Sequence, residues 1–88
     1  MTARVPCCVP YCRRTFKAES CDDGAEVMCG AHYRLASPVF RRRRSRLLRR
    51  LSRTSPERKP REWLRLADLQ FELWGRIKAQ AIERAAGL

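Results

Sequence analysis

The sequence predicts an α+β fold, a small β-hairpin-and-helix module followed by a two-helix hairpin. Three observations predict it. Cysteine and histidine gather in the first 36 residues as two short pairs. A block of arginine and leucine, SPVFRRRRSRLLRRLSR, follows with helical periodicity over residues 37–53. After the proline-flanked linker TSPERKP (54–60), residues 61–88 carry a second, longer helical pattern.

At 88 residues the chain is one domain with a small core, and a staple such as a metal ion would strengthen it. The formal net charge is +11, carried by 17 Arg and 3 Lys. Such a bias points to a polyanionic partner. Arginine favours nucleic acid, because its planar guanidinium meets phosphate bidentately and stacks on bases. No apolar run reaches the ~18 residues of a membrane span, so no membrane partner is expected. The opening MTARVPCC has no apolar leader core, so a cytoplasmic location is expected, where thiols stay reduced. Five cysteines, an odd number, also fit a disulfide framework poorly.

The first module opens on CCVPYC. Cys29 and His32 form a C-x2-H pair, with Cys12 lying 17 positions earlier. Either Cys7 or Cys8 completes a set of four with Cys12. Two short pairs separated by a loop match a closed tetrahedral zinc site, because each tight turn converges two ligand atoms to ~2.0–2.3 Å from one ion. Pro10 stiffens the first turn and Gly30 loosens the second. Between the pairs, TFKAE and AEVMC read as strands flanking an Asp23-Gly24 turn, a hairpin that leads into a helical turn carrying His32.

CCVPYC…CGAHYR resembles the small zinc-finger module of phage and prophage proteins, often found beside HNH nuclease domains. The resemblance covers about residues 6–35. It implies Cys7, Cys12, Cys29 and His32 as zinc ligands, with Tyr33 and Arg34 at the aromatic and basic positions after the histidine. The chain departs from that pattern at Tyr11, where glycine is usual, and in its additional Cys8. The resemblance also implies the cytoplasm of a bacterial host cell. A nuclease reading fails on residue supply, since HNH chemistry uses several histidines and this chain has one. No catalytic residue is therefore expected, and zinc is read as a scaffold. Cys21, beside Asp22 and Asp23, is expected to be a spare thiol of low reactivity.

Ser37-Pro38 reads as N-cap and N1 of the basic helix. At ~100° per residue, Arg42, Arg43, Arg46, Arg49, Arg50 and Arg53 share an arc of ~120°, opposite Phe40, Leu47, Leu48 and Leu51. Arg44 falls among the apolar residues and Arg41 at their edge. The arginine stripe is the expected nucleic-acid contact, with DNA favoured over RNA because a helix fits the major groove. Asparagine is absent from the chain, so mainly phosphate-driven, weakly sequence-specific binding follows.

The last helix starts at Pro60, with Gly87 as its stop. Trp63, Ala67, Trp74, Ile77 and Ala81 form one stripe. Leu66, Leu69 and Leu73 flank it on one side, Leu64, Phe71 and Ile82 on the other. This arc exceeds half the wheel, more than the preceding helix can cover. The surplus around Trp63 and Trp74 is expected either to join the core or to dock a host protein or a second copy, giving a homodimer.

The functional expectation is a non-enzymatic zinc-finger protein that binds nucleic acid through its arginine-rich helix. The alternative is a phage-encoded inhibitor or adaptor that docks by protein–protein contact on a host nucleoprotein complex.

Overall fold

In the computed structural model, which describes residues 3–21 and 26–87, two short strands precede three helices. β1 (Arg4–Pro6) and β2 (Thr15–Lys17) pair antiparallel, with Val5 opposite Phe16. The hairpin therefore forms across the first ligand turn, and AEVMC contributes only an isolated parallel bridge from Val27 to Cys7. The reason is local. The Cys7–Cys12 turn already reverses the chain, so its two flanks meet with little loop-closure cost. TFKAE stops short as a strand because Ala18–Ser20 winds into a 3₁₀ turn. The expected Asp23-Gly24 turn lies outside the described residues.

α1 (Gly30–Tyr33) is a single turn. α2 (Pro38–Arg53) and α3 (Pro60–Ala85) form the expected helical hairpin. Both begin with proline at the first turn, where the missing N–H costs nothing. Ser37 stands at the N-cap position, yet its hydroxyl makes no cap bond. Its backbone N–H instead donates to Gln80 Oε1 at 2.8 Å. α3 ends through Gly87, whose φ of 80° only glycine adopts freely.

Cross-contacts fix the pairing of α2 and α3 as antiparallel. They step from Ser37–Gln80 through Arg44–Gln70 to Arg50–Glu62. The buried line on α3 is Leu66, Leu73, Ile77 and Ala81, one residue every turn or two. This is rotated from the expected stripe, and Trp63, Ala67 and Trp74 are only half-buried. The cause is the size of the partner, since 16 residues of α2 cover one ridge of α3 and leave Leu64 and Phe71 in solvent. The chain extends 42 × 37 × 14 Å, so it is one helix layer thick and α2 has no fully buried residue.

Two small apolar clusters result. Ala36, Leu73 and Ile77 gather Tyr33, Phe40, Leu47 and Trp74 around the α2–α3 seam. Cys7, Val9, Cys29 and Ala81 gather Cys12, Phe16, Met28 and Ile82 around the first module. The C-terminal end of α3 thus closes the wall of the cysteine module. Glu26 reinforces this junction by accepting from Trp74 Nε1 at 3.4 Å and from Lys78 Nζ.

Candidate metal centre and basic face

Cys7 follows directly on β1, and its N–H donates to the Arg14 carbonyl at 3.0 Å, closing the turn that returns the chain at Cys12. Within that turn the Cys12 N–H donates to Val9 O at 3.2 Å. Cys29 caps α1, whose first turn brings His32 back over it, with the Tyr33 N–H on Cys29 O at 3.0 Å. These two turns place one ligand atom each from Cys7, Cys12, Cys29 and His32 within 4.8 Å of one another.

His32 Nδ1 lies 3.1 Å from Cys29 Sγ and 3.7 Å from Cys7 Sγ, and Cys12 Sγ lies 4.0 Å from Cys29 Sγ. A tetrahedron built on metal–sulfur bonds of ~2.3 Å and metal–nitrogen bonds of ~2.0–2.1 Å has edges of about 3.5–3.8 Å. The observed separations scatter around that range, so the four residues fit a metal ion. At 4.0 Å the Cys12–Cys29 pair is far beyond a disulfide bond of ~2.05 Å. All five cysteines are free thiols.

The electrostatics point the same way. Burial works against the Cys29 thiolate, yet the His32 backbone N–H and hydrogen bonds with Cys12 and Cys7 outweigh it and lower its pKa. At Cys12 the Arg14 backbone N–H favours the thiolate, but burial and hydrogen bonds with Cys7 and Cys29 prevail and raise it. Like charges crowded into one space titrate apart in this way. A cation at their centre removes the conflict and deprotonates a coordinating thiol. The Cys29 N–H already aims at Cys7 Sγ, at 3.3 Å, a donor placed for a thiolate.

Cys8 stands outside the cluster. Its sulfur is not among the ligand atoms that converge, whereas that of Cys7 is. Cys8 donates its backbone N–H to Val27 O, and its thiol pKa is raised by burial first, then by Cys7 and Glu26. Cys21 is also apart, with its sulfur 3.4 Å from Lys17 O.

The arginines of α2 divide into two sets. Arg42, Arg43, Arg46, Arg49, Arg50 and Arg53 are all exposed. Of these six, Arg50 alone is among the ion pairs of the described residues, meeting Glu62 at 3.3 Å. Arg41 and Arg44 face inward, as their wheel positions predict. The Arg44 guanidinium lies 4.8 Å from the Trp74 ring centre and 6.0 Å from that of Tyr33, and its Nε donates to Gln70. Arg41 also lies over Tyr33 and donates to the Ala36 carbonyl. A shallow groove lined by Tyr33, Pro38, Arg42, Ser45, Arg46 and Arg49 runs along the basic face beside α1.

Comparison with family models, with curated proteins and with solved structures finds no match for this chain.

Trp74, expected as a docking residue, is engaged within the chain by Arg44 and Glu26, and Trp63 is half-buried. The apolar side chains left in solvent on α3 are Leu64, Leu69 and Phe71. No helix is long and apolar enough to cross a membrane among the described residues.

One feature was not expected from composition or spacing. Tyr11 has φ of 67° and is fully exposed. A bulky L-residue in the left-handed region costs about 1–2 kcal/mol, which is why glycine is usual there.

Proposed function

We propose that the protein is a non-enzymatic, zinc-dependent nucleic-acid-binding protein of phage or prophage type, acting in the bacterial cytoplasm. The observation that carries this reading is the α2 face, six exposed arginines on one stripe with a single carboxylate among their ion partners in the described residues. Like charges on one helix face repel one another, and a polyanion relieves that repulsion. The face grips phosphates and carries little sequence information, since backbone contacts position a protein without reading bases.

Zinc is the metal that the donor set favours. Three thiolates and one imidazole are soft-to-borderline ligands suited to zinc and unsuited to calcium or magnesium. Four protein ligands close the coordination shell and leave no position for a reacting water, so the ion's part is structural. Bound there, it would fix the Cys7–Cys12 turn and α1 against each other, and with them the start of α2. Cys7, Cys12, Cys29 and His32 hold the ion, and the residues of α2 hold the ligand.

Salt titration tests this reading. Binding of a labelled duplex should weaken steeply with salt, with a log–log slope of about −0.9 per phosphate contacted. Replacing Arg46 and Arg49 with Gln should flatten the slope by about one to two such contacts. Salt-insensitive binding, or a slope unmoved by those changes, overturns it.

The exposed Leu64 and Phe71 favour a second reading, in which α3 docks the protein on a host protein or nucleoprotein complex as an inhibitor or adaptor. Recovery of the tagged protein's partners with and without nuclease separates the two. Partners lost with nuclease support phosphate binding, and a stoichiometric protein that persists supports docking.

A further inference from the structure

Just before Cys12 the Cys7–Cys12 turn carries a tyrosine with no packing or hydrogen-bonding role among the described residues. Tyr11 holds a left-handed backbone that disfavours its side chain, and the ring projects wholly into solvent. It packs on neither apolar cluster and appears in none of the side-chain hydrogen bonds of the described residues. Strain without an internal return is found where a residue acts on something outside the fold. The platform beneath the ring is rigid, because Cys7 and Cys12 bracket the turn and the Cys12 N–H is bonded to Val9 O. Arg13 and Arg14, both exposed, follow it two and three residues along the chain.

An exposed planar ring on a fixed turn, followed in sequence by two exposed arginines, matches a ligand that offers a planar face and an adjoining anion. A nucleotide whose base is unpaired has both. A base inside a duplex does not, since its faces are covered by its neighbours. We infer that Tyr11 is a stacking platform for an unpaired nucleobase, with Arg13 and Arg14 on the adjoining phosphates, so that the protein prefers single-stranded nucleic acid over duplex. This rests on the phosphate-binding reading of α2 and adds a second contact, on the metal module, that reads the state of the strand. Aromatic stacking tolerates any base, which suits a chain with no asparagine.

The test is fluorescence polarisation with a labelled 20-nucleotide single strand and the 20-base-pair duplex of the same sequence, using zinc-loaded full-length protein. The variants are Tyr11→Asn and Tyr11→Trp. Asparagine tolerates the left-handed region, so Tyr11→Asn removes the ring without adding strain, and its thermal midpoint should be no lower than that of the wild type. Stacking of one base corresponds to about a 5- to 150-fold difference in affinity. Tyr11→Asn should lose that factor on the single strand, keep the duplex affinity, and leave the salt slope unchanged. Tyr11→Trp should retain single-strand binding. In the wild type, Tyr11 ring protons should move upfield on adding the single strand and stay in place on adding the duplex.

If Tyr11→Asn binds the single strand as tightly as the wild type, the stacking role is wrong while the α2 reading survives. If the wild type binds neither oligonucleotide at low salt, the nucleic-acid reading fails and this inference falls with it. A loss shared equally between strand and duplex also overturns it, because it would place Tyr11 in general backbone binding.

Discussion

The cysteine module and the helical hairpin are held together by different physics. The module has three-residue strands, a four-residue helix, and a core in which Cys7 and Cys29 are themselves buried members. The hairpin has helices of 16 and 26 residues that meet along an aliphatic seam of Leu73 and Ile77. In one half the groups that would bind an ion are also the core. In the other, apolar area removed from water does the work. The difference teaches that a small basic chain can divide its core between would-be ligand side chains in one half and purely aliphatic packing in the other.

The largest expected effect is on the module. On the proposed zinc reading, removing the metal with a chelator, or the Cys12→Ser change, should unfold the cysteine module, because apparent binding energies of about 10–16 kcal/mol in such sites are folding energies. Helical circular dichroism from α2 and α3 should largely persist while module resonances collapse. Cys8→Ser and Cys21→Ser should keep the metal. Loss of metal on Cys8→Ser with retention on Cys7→Ser would break the ligand assignment.

The hairpin should answer to a different change. Ile77→Ala removes a fully buried side chain at the seam and should cost about 2–5 kcal/mol, read as a lower urea midpoint of the helical signal. If chelation and Ile77→Ala abolish the same cooperative transition, the two halves fold as one unit and the comparison dissolves.

A third prediction separates arginines that hold the fold from those that face solvent. Arg44→Ala should cost about 1–2 kcal/mol through lost contact with Trp74 and Tyr33, and should alter Trp74 fluorescence. Arg46→Ala, on the exposed stripe, should stay within about 0.5 kcal/mol of the wild type or stabilise the helix. Equal effects at the two positions would erase the division within α2.

The smallest effect lies at the junction. Lys78, and after it Trp74, lowers the Glu26 pKa below the ordinary carboxylate value. A depressed folded-state pKa means that the contribution is present above the unfolded value and is lost as pH falls through the folded one. The stability difference between wild type and Glu26→Gln should therefore hold at neutral pH and shrink below the ordinary carboxylate range, as followed by urea unfolding. A difference that grows in acid would contradict the pairing.

The ligand pairs were legible because spacing encodes turns, and a turn is what brings Cys12 to Cys7 and His32 to Cys29. Spacing alone could not separate Cys7 from Cys8, since both C-x4-C and C-x3-C close a turn on Cys12 and the choice depends on how the chain bends after β1. The division of α2 into an arginine stripe and an inward Arg44 was legible from helical period alone. The rotation of α3 was not, because an apolar arc wider than half the wheel leaves its orientation to the partner helix. The hairpin was misplaced for a related reason. Thr15–Lys17 has strand character in sequence, but its partner was decided by the ligand turn, which delivers Arg4–Pro6 before any later segment.

Ala81 carries a consequence for synthesis. Domains made on the ribosome generally fold from the N-terminus as they emerge. Here the ligands at 7, 12, 29 and 32 emerge first, yet one wall of their cluster is a residue near the far end of α3. A nascent chain halted before residue 81 presents the thiols with that side open to water and to competing metals or oxidants. Closure of the first module therefore waits for the last helix, and the four ligand residues are walled in only after translation has passed most of α3.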